Sequence, residues 1–172
     1  VNGVKYLIQS WNEQHGSILA DEMGLKKKVQ LLSFLNYLNK NTEWHGPFLI
    51  ACRQSKFRQW SSEIENWTDL RCLAYTSGPD QRNLMREYQF PALDDLGNSI
   101  QETYAFNVFL VSYDILIKDI DFICFWNLNE HSFILVIINS RFSCVIDLGI
   151  KISPYARSLP ITSAVRLFLS KA

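Results

Sequence analysis

The feature that most constrains this chain is the stretch 17–30, Ser-Ile-Leu-Ala-Asp-Glu-Met-Gly-Leu-Lys-Lys-Lys-Val-Gln. Ile18, Leu19 and Ala20 form a short apolar run that reads as a buried strand. A loop containing Gly24 follows. Val29, Leu31, Leu32, Leu35 and Leu38 then recur at the spacing of one helix face. Strand, glycine loop and a helix that opens on lysines is the layout of a phosphate-binding loop. The first amides of a helix have no intrahelical acceptor and point at an anion, and a lysine adds charge to the same place.

The rest of the chain repeats the alternation of strand and helix. Strands are predicted over 17–20, 48–52, 71–75 and 106–112. Between them, Val1, Val4, Leu7, Ile8 and Trp11 form one helical stripe, and Phe57, Trp60, Ile64 and Trp67 form another, both read as packing faces. A turn is predicted at Ser77-Gly78-Pro79-Asp80 and a helix over 82–90. Residues 91–104 are polar and acidic without periodicity and read as a surface insertion. The alternation predicts an α/β fold with a mainly parallel sheet between two helical layers. With a phosphate loop after the first strand, the expectation is a three-layer P-loop NTPase-like domain.

Composition narrows the function. The 172 residues are 48% hydrophobic and 13% aromatic, enough for one domain with a substantial core. Seventeen basic residues balance seventeen acidic ones. No overall charge therefore favours nucleic acid, though a local basic patch is compatible with neutrality. Cys52, Cys72, Cys124 and Cys144 lack C-x-x-C spacing and read as buried reduced thiols. His15, His45 and His131 stand apart, so no zinc site, and no metal ligand of any kind, is predicted. The longest apolar run, Phe133 to Ile138, is too short to span a membrane, and no signal peptide is recognised. The chain starts at Val1 rather than methionine, which is expected of a fragment.

Ile18-Leu19-Ala20-Asp21-Glu22-Met23-Gly24-Leu25 resembles the nucleotide-binding motif of Swi/Snf-type chromatin-remodelling ATPases, I-L-A-D-E-M-G-L-G-K-T. The match then breaks. The family's second glycine is Lys26, its lysine is matched by Lys27, and its threonine, whose hydroxyl holds magnesium, is Lys28. Elsewhere the resemblance is closest to the chromodomain-helicase-DNA-binding branch. Gly3-Val4-x-Tyr6-Leu7 resembles the helix after the adenine-reading glutamine motif, whose tyrosine–glutamine pair would precede Val1. His45-Gly46-Pro47-Phe48-Leu49-Ile50 resembles the G-P-F-L-I strand. Trp60, Glu63 and Trp67 match N-W-x-x-E-x-x-x-W, Arg86-Glu87-Tyr88-Gln89-Phe90 matches R-E-Y-E-F, and Phe106 to Tyr113 matches F-N-V-L-L-T-S-Y. The pattern is clear over 1–121 and degenerate over 122–172, within one partial helicase-like ATP-binding domain.

The resemblance implies ATP and magnesium as cofactors, DNA or the nucleosome as partner, a second RecA-like lobe missing from this chain, and a nuclear location. It implies that Asp21, Glu22, Gly24 and Lys27 bind nucleotide. Ser55 matches one position of a loop that touches DNA phosphates, and Arg53 and Lys56 stand beside it. The D-E-A-H box has two placements. Asn129-Glu130-His131 keeps a glutamate, making Glu130 the candidate that activates water. Ile134 to Arg141 keeps the strand and loses every catalytic residue, and it is favoured because a buried parallel sheet gives up an apolar strand least readily. Only Leu159, Ile161 and Thr162 hold of a later motif, where Pro160 would remove a ladder amide.

The departures predict that the chain alone does not hydrolyse ATP. A Cβ at Lys26 is expected to crowd the loop, and Lys28 puts a cation where magnesium and its hydroxyl ligand belong. The lysines either hold phosphate by charge or point into solvent. ATP binding is expected to be weak, insensitive to magnesium and lost at high salt. The alternative is a degenerate lobe acting as a non-catalytic interaction module, or a non-functional fragment. Residues 122–157 are expected to be less regular than the rest.

Overall fold

A computed structural model of the chain describes residues 2–15, 17–19, 26–76, 78–93, 99–119, 122–123, 133–137 and 145–150. Five helices and eight strands occur among them. They are α1 (Asn2–Asn12), β1 (Ser17–Ile18), α2 (Lys27–Asn41), β2 (Phe48–Ala51), α3 (Phe57–Trp67), β3 (Cys72–Tyr75), α4 (Pro79–Tyr88), β4 (Pro91–Leu93), β5 (Ser99–Tyr104), β6 (Val108–Val111), α5 (Tyr113–Lys118), β7 (Phe133–Ile137) and β8 (Val145–Ile150). A 3₁₀ turn over Gln54–Lys56 leads from β2 into α3.

The main sheet runs β1-β8-β7-β2-β6-β3. β2 is parallel to both β6 and β7, and β6 is parallel to β3, with Ile50 opposite Leu110 and Val136. All four residues of β2 and of β6 are buried. Successive side chains of a strand point to opposite faces, and both faces here are covered. Phe48, Ile50, Val108 and Leu110 pack with Leu7 of α1, Leu31, Leu32, Phe34, Leu35 and Leu38 of α2, and Trp60 and Ile64 of α3. Leu49, Ala51, Phe109 and Val111 pack on the other face with Tyr75, Phe90, Phe106 and Leu116 of α5. This is the three-layer α/β arrangement of a RecA-like P-loop domain, with the mainly parallel sheet that the apolar runs imply.

Several boundaries differ from the sequence reading. The first strand is two residues long, not 17–20. Ser17 and Leu19 are buried while Ile18 is 55% exposed, because β1 is an edge strand with one face open. It also pairs antiparallel with β8, which in turn pairs antiparallel with β7. The expected strand 106–112 begins at Val108, because Asn107 spends its backbone and side chain clamping neighbouring segments. Its carbonyl accepts from the Phe48 amide at 2.7 Å, its own amide donates to the Arg71 carbonyl at 2.8 Å, and its Nδ2 donates to the His45 carbonyl at 2.8 Å. Within 91–104, read as a surface insertion, two strands are described. β4 and β5 pair antiparallel as a separate ribbon, for which Ile100, Thr103 and Tyr104 have the right propensity. Of the turn read at 77–80, Gly78 precedes α4 and Pro79 opens it, three residues before the expected helix start. Trp67, read as a packing residue, is 52% exposed, because it is the last residue of α3 and Leu70 closes the core beyond it. Cys52 is buried and Cys72 half-buried, both as free thiols, while Cys124 and Cys144 lie outside the described residues. Within 122–157 the two strands β7 and β8 are described. The segment around Pro160 lies outside the described residues.

Candidate phosphate site

β1 is antiparallel to β8 and β8 to β7, so β1 runs in the same direction as β7, β2, β6 and β3. Its carboxyl end therefore lies at the sheet edge where those strands also end. In open α/β sheets that is the edge where ligands bind. Two connections leave that edge, and the start of α2 comes near the one that follows β2, since Lys28 interacts electrostatically with Cys52 and Lys56. One runs from β1 to the start of α2, and the other is the exposed Arg53–Lys56 turn after β2.

The start of α2 is built without a conventional cap. Lys26 precedes it at φ 46° and ψ 47°, a left-handed conformation, and offers no side-chain cap. The Gln30 amide donates to the Lys26 carbonyl at 3.2 Å and opens the helical ladder. The amides before it belong to the first turn, which has no intrahelical acceptor. Position 26 is where the resemblance places a glycine. The sequence reading expected a Cβ there to crowd the loop, whose residues 20–25 lie outside the described residues; at Lys26 itself the backbone is left-handed, which L-residues adopt at a cost of about 1–2 kcal/mol.

The three lysines separate in role. Lys26 is exposed, Lys27 is the first helical residue, and Lys28 turns inward. The Lys28 ammonium stands 5.5 Å from the centroid of the Trp60 ring, within cation–π range. Burial lowers its pKa from the ordinary lysine value, the Glu63 carboxylate opposes that, and Lys56 adds to it by repulsion. Lys28 thus neither faces open solvent nor resembles a metal ligand. A divalent cation brought to this residue meets a half-buried ammonium instead of an oxygen, so the described residues do not fit magnesium. Among the described residues no three histidine, cysteine, aspartate or glutamate side chains gather for any metal.

Of the other residues singled out from sequence, Ser55 sits exposed in the 3₁₀ turn between Arg53 and Lys56, at the same sheet edge as Lys27. Asp21, Glu22, Gly24 and Glu130 lie outside the described residues. Sequence reasoning missed Trp60 as the seat for Lys28, since its stripe signalled core packing alone. It also missed a polar cluster on the opposite helical layer. There one Asp119 oxygen, Oδ2, takes Arg82 Nε and Arg86 Nη2 at 2.8 Å each and the Tyr75 hydroxyl at 2.9 Å, while Arg86 Nε donates to that hydroxyl at 2.7 Å. The Arg86 guanidinium also lies 3.9 Å from the centroid of the Phe122 ring. Only Arg86, inside the R-E-Y match, hinted at it.

The fold and this edge define a RecA-like lobe with a phosphate-loop layout. A solved structure described as the Sulfolobus solfataricus SWI2/SNF2 ATPase core in complex with dsDNA has the same fold, with a TM-score of 0.52 over 70% of this chain and 22% of that one, at 21% identity. The profile of the SNF2-related domain matches residues 1–140, and the chain belongs to that family. It is similar to Chromodomain-helicase-DNA-binding protein 1 of Homo sapiens, 35% identical over 120 residues, and of Gallus gallus, 36% identical over 126 residues. Chromodomain-helicase-DNA-binding protein 8 of Homo sapiens is 30% identical over 119 residues. These matches cover 69%, 72% and 69% of this chain but only 7%, 7% and 5% of those proteins. The chain therefore spans a small fraction of the length of these relatives.

Proposed function

We propose that the chain is the nucleotide-facing lobe of a chromodomain-helicase-type remodeller, and that it holds polyphosphate weakly without hydrolysing it. One observation carries the reading. α2 opens on Lys27, which matches the lysine of the resembled motif, at the carboxyl edge of the parallel sheet, while Lys28 stands over Trp60. In this reading Asp21, Glu22 and Gly24 complete the loop, and ATP is the ligand. Double-stranded DNA is the partner, met by the exposed turn with Arg53, Ser55 and Lys56, and the compartment is the nucleus. The names of the relatives and of the solved neighbour support that assignment. A second lobe would supply the other face of the nucleotide. Glu130 is given no catalytic role. In sequence it precedes the amino end of β7, whereas the ligand edge lies at the carboxyl end.

The test is a titration with labelled ATP together with a phosphate-release assay, with and without double-stranded DNA. Weak binding that fades at high salt is expected, as for a screened charge contact, with no release. The double variant Lys26→Gly/Lys28→Thr should bind more tightly and still release nothing. Magnesium-dependent release stimulated by DNA in the unmodified chain would overturn the reading.

A further inference from the structure

The first residue after Lys27 carries a consequence for ligand choice. An exposed lysine can swing aside and let a metal-bound ligand approach. Lys28 is restrained from doing so: its ammonium sits over the Trp60 ring, attracted by Glu63 one turn further along α3 and repelled by Lys56 on the adjoining turn. Nearby Cys52 is protonated and contributes no countercharge, its pKa pushed up to about 12 by burial. The charge thus stands over the Trp60 ring at the start of α2, beside helix amides that themselves favour anions.

We infer that Lys28, seated on Trp60, is a specificity-determining residue that makes this edge select metal-free polyphosphate over the magnesium complex. The inference rests on the nucleotide reading above and goes past indifference to magnesium. Magnesium neutralises part of the polyphosphate charge, so it removes attraction to Lys26, Lys27 and Lys28. It also brings a second cation toward Lys28 and finds no hydroxyl there to offset the repulsion. Both effects weaken binding. Trp60 acts as a positioning residue, since it keeps the ammonium from relaxing away.

The experiment measures the affinity of the full chain for labelled ATP in chelator and in excess magnesium, for the unmodified chain, Lys28→Gln and Lys28→Thr. Far-UV circular dichroism and thermal unfolding confirm that each variant is folded. The unmodified chain is expected to bind about tenfold more weakly in magnesium, or ~1.4 kcal/mol. Lys28→Gln should lose most of that penalty without gaining a magnesium requirement. Lys28→Thr should reverse the sign and bind more tightly in magnesium. Inorganic tripolyphosphate should compete with ATP and follow the same order, because the selection concerns phosphate charge and not the base. Tighter binding of the unmodified chain in magnesium overturns the inference and leaves the nucleotide reading standing. So does an identical magnesium response in all three proteins. Absence of ATP binding by every form in both conditions overturns the nucleotide reading itself, and the inference with it.

Discussion

At the scale of single residues, the start of α2 carries lysine where the resembled motif carries glycine. Lys26 occupies left-handed space at φ 46°. Glycine reaches that conformation freely but loses more entropy on folding, roughly 0.5–1 kcal/mol. Set against the left-handed cost of about 1–2 kcal/mol for an L-residue, Lys26→Gly should stabilise the fold by about 0.5–1 kcal/mol in urea unfolding. A destabilised variant would mean that the Lys26 side chain makes contacts worth more than the strain. Cys52 gives a second expectation. Burial is the first cause of its raised pKa, about 12 against an ordinary 9.0, followed by Cys72. Below pH 9 neither folded nor unfolded state is ionised and stability is unaffected. Between pH 9 and about 12 the unfolded thiol ionises while the folded one does not, so unfolding releases a proton. Stability should fall there by up to ~1.4 kcal/mol per pH unit from this group. Cys52→Ala should flatten that part of the stability–pH curve. The native thiol should also resist alkylation at pH 8 as long as the chain stays folded, a result read by mass spectrometry.

At the scale of elements, the helices after β3 and β6 are tied together by charge as well as by apolar packing. Arg82 and Arg86 of α4 and Tyr75 of β3 all meet the carboxylate of Asp119, which follows α5. The side chains of Arg82 and Asp119 are only 11% and 13% exposed. Removing one member of such a buried group leaves the others uncompensated, which costs more than the net value of the pair. Asp119→Ala should therefore destabilise the domain by about 2–4 kcal/mol, and Asp119→Asn, which keeps one acceptor, by less. A loss under about 1 kcal/mol in both would show that water takes over the two guanidinium groups. On the other face, α1 ends in a Schellman arrangement. The His15 amide donates to the Ser10 carbonyl at 2.9 Å and the Gln14 amide to the Trp11 carbonyl at 3.0 Å, with Gln14 left-handed at φ 57°. The turn brings the chain from α1 back to β1. No glycine marked that stop, so the sequence showed the helix but not what ends it.

At the scale of the molecule, legibility followed burial. β2, β6 and the helical stripes of α2 and α3 were readable because strands covered on both faces must be apolar throughout. Edge strands lack that requirement. Hence Ile18, half-exposed on β1, was taken as buried, and the β4–β5 ribbon was passed over as an insertion. Strand order was not readable at all, since nothing in a local pattern says that β8 turns back between β1 and β7. The same distinction is the basis for an exchange hierarchy. β2 is hydrogen-bonded on both sides, and β6 lies between β2 and β3, with every residue of both buried. Their amides can open only when both helical layers part, which is close to global unfolding. The β4–β5 ribbon pairs with no strand of the main sheet among the described residues, and a two-stranded ribbon has little stability of its own. Among its anchors are the Ala105 amide, which donates to the Phe90 carbonyl at 3.1 Å, and the ring contact of Tyr104 with Phe106 at 6.0 Å. Native-state hydrogen exchange in low denaturant should therefore separate two classes. Amides of Leu49–Ala51 and Phe109–Val111 should exchange slowest, with a denaturant dependence equal to that of global unfolding. Amides of Ser99–Thr103 should exchange faster and with little denaturant dependence, through local opening. Equal protection and equal denaturant slopes in both classes would mean that the ribbon unfolds only with the core, and that the three layers and the ribbon form one cooperative unit.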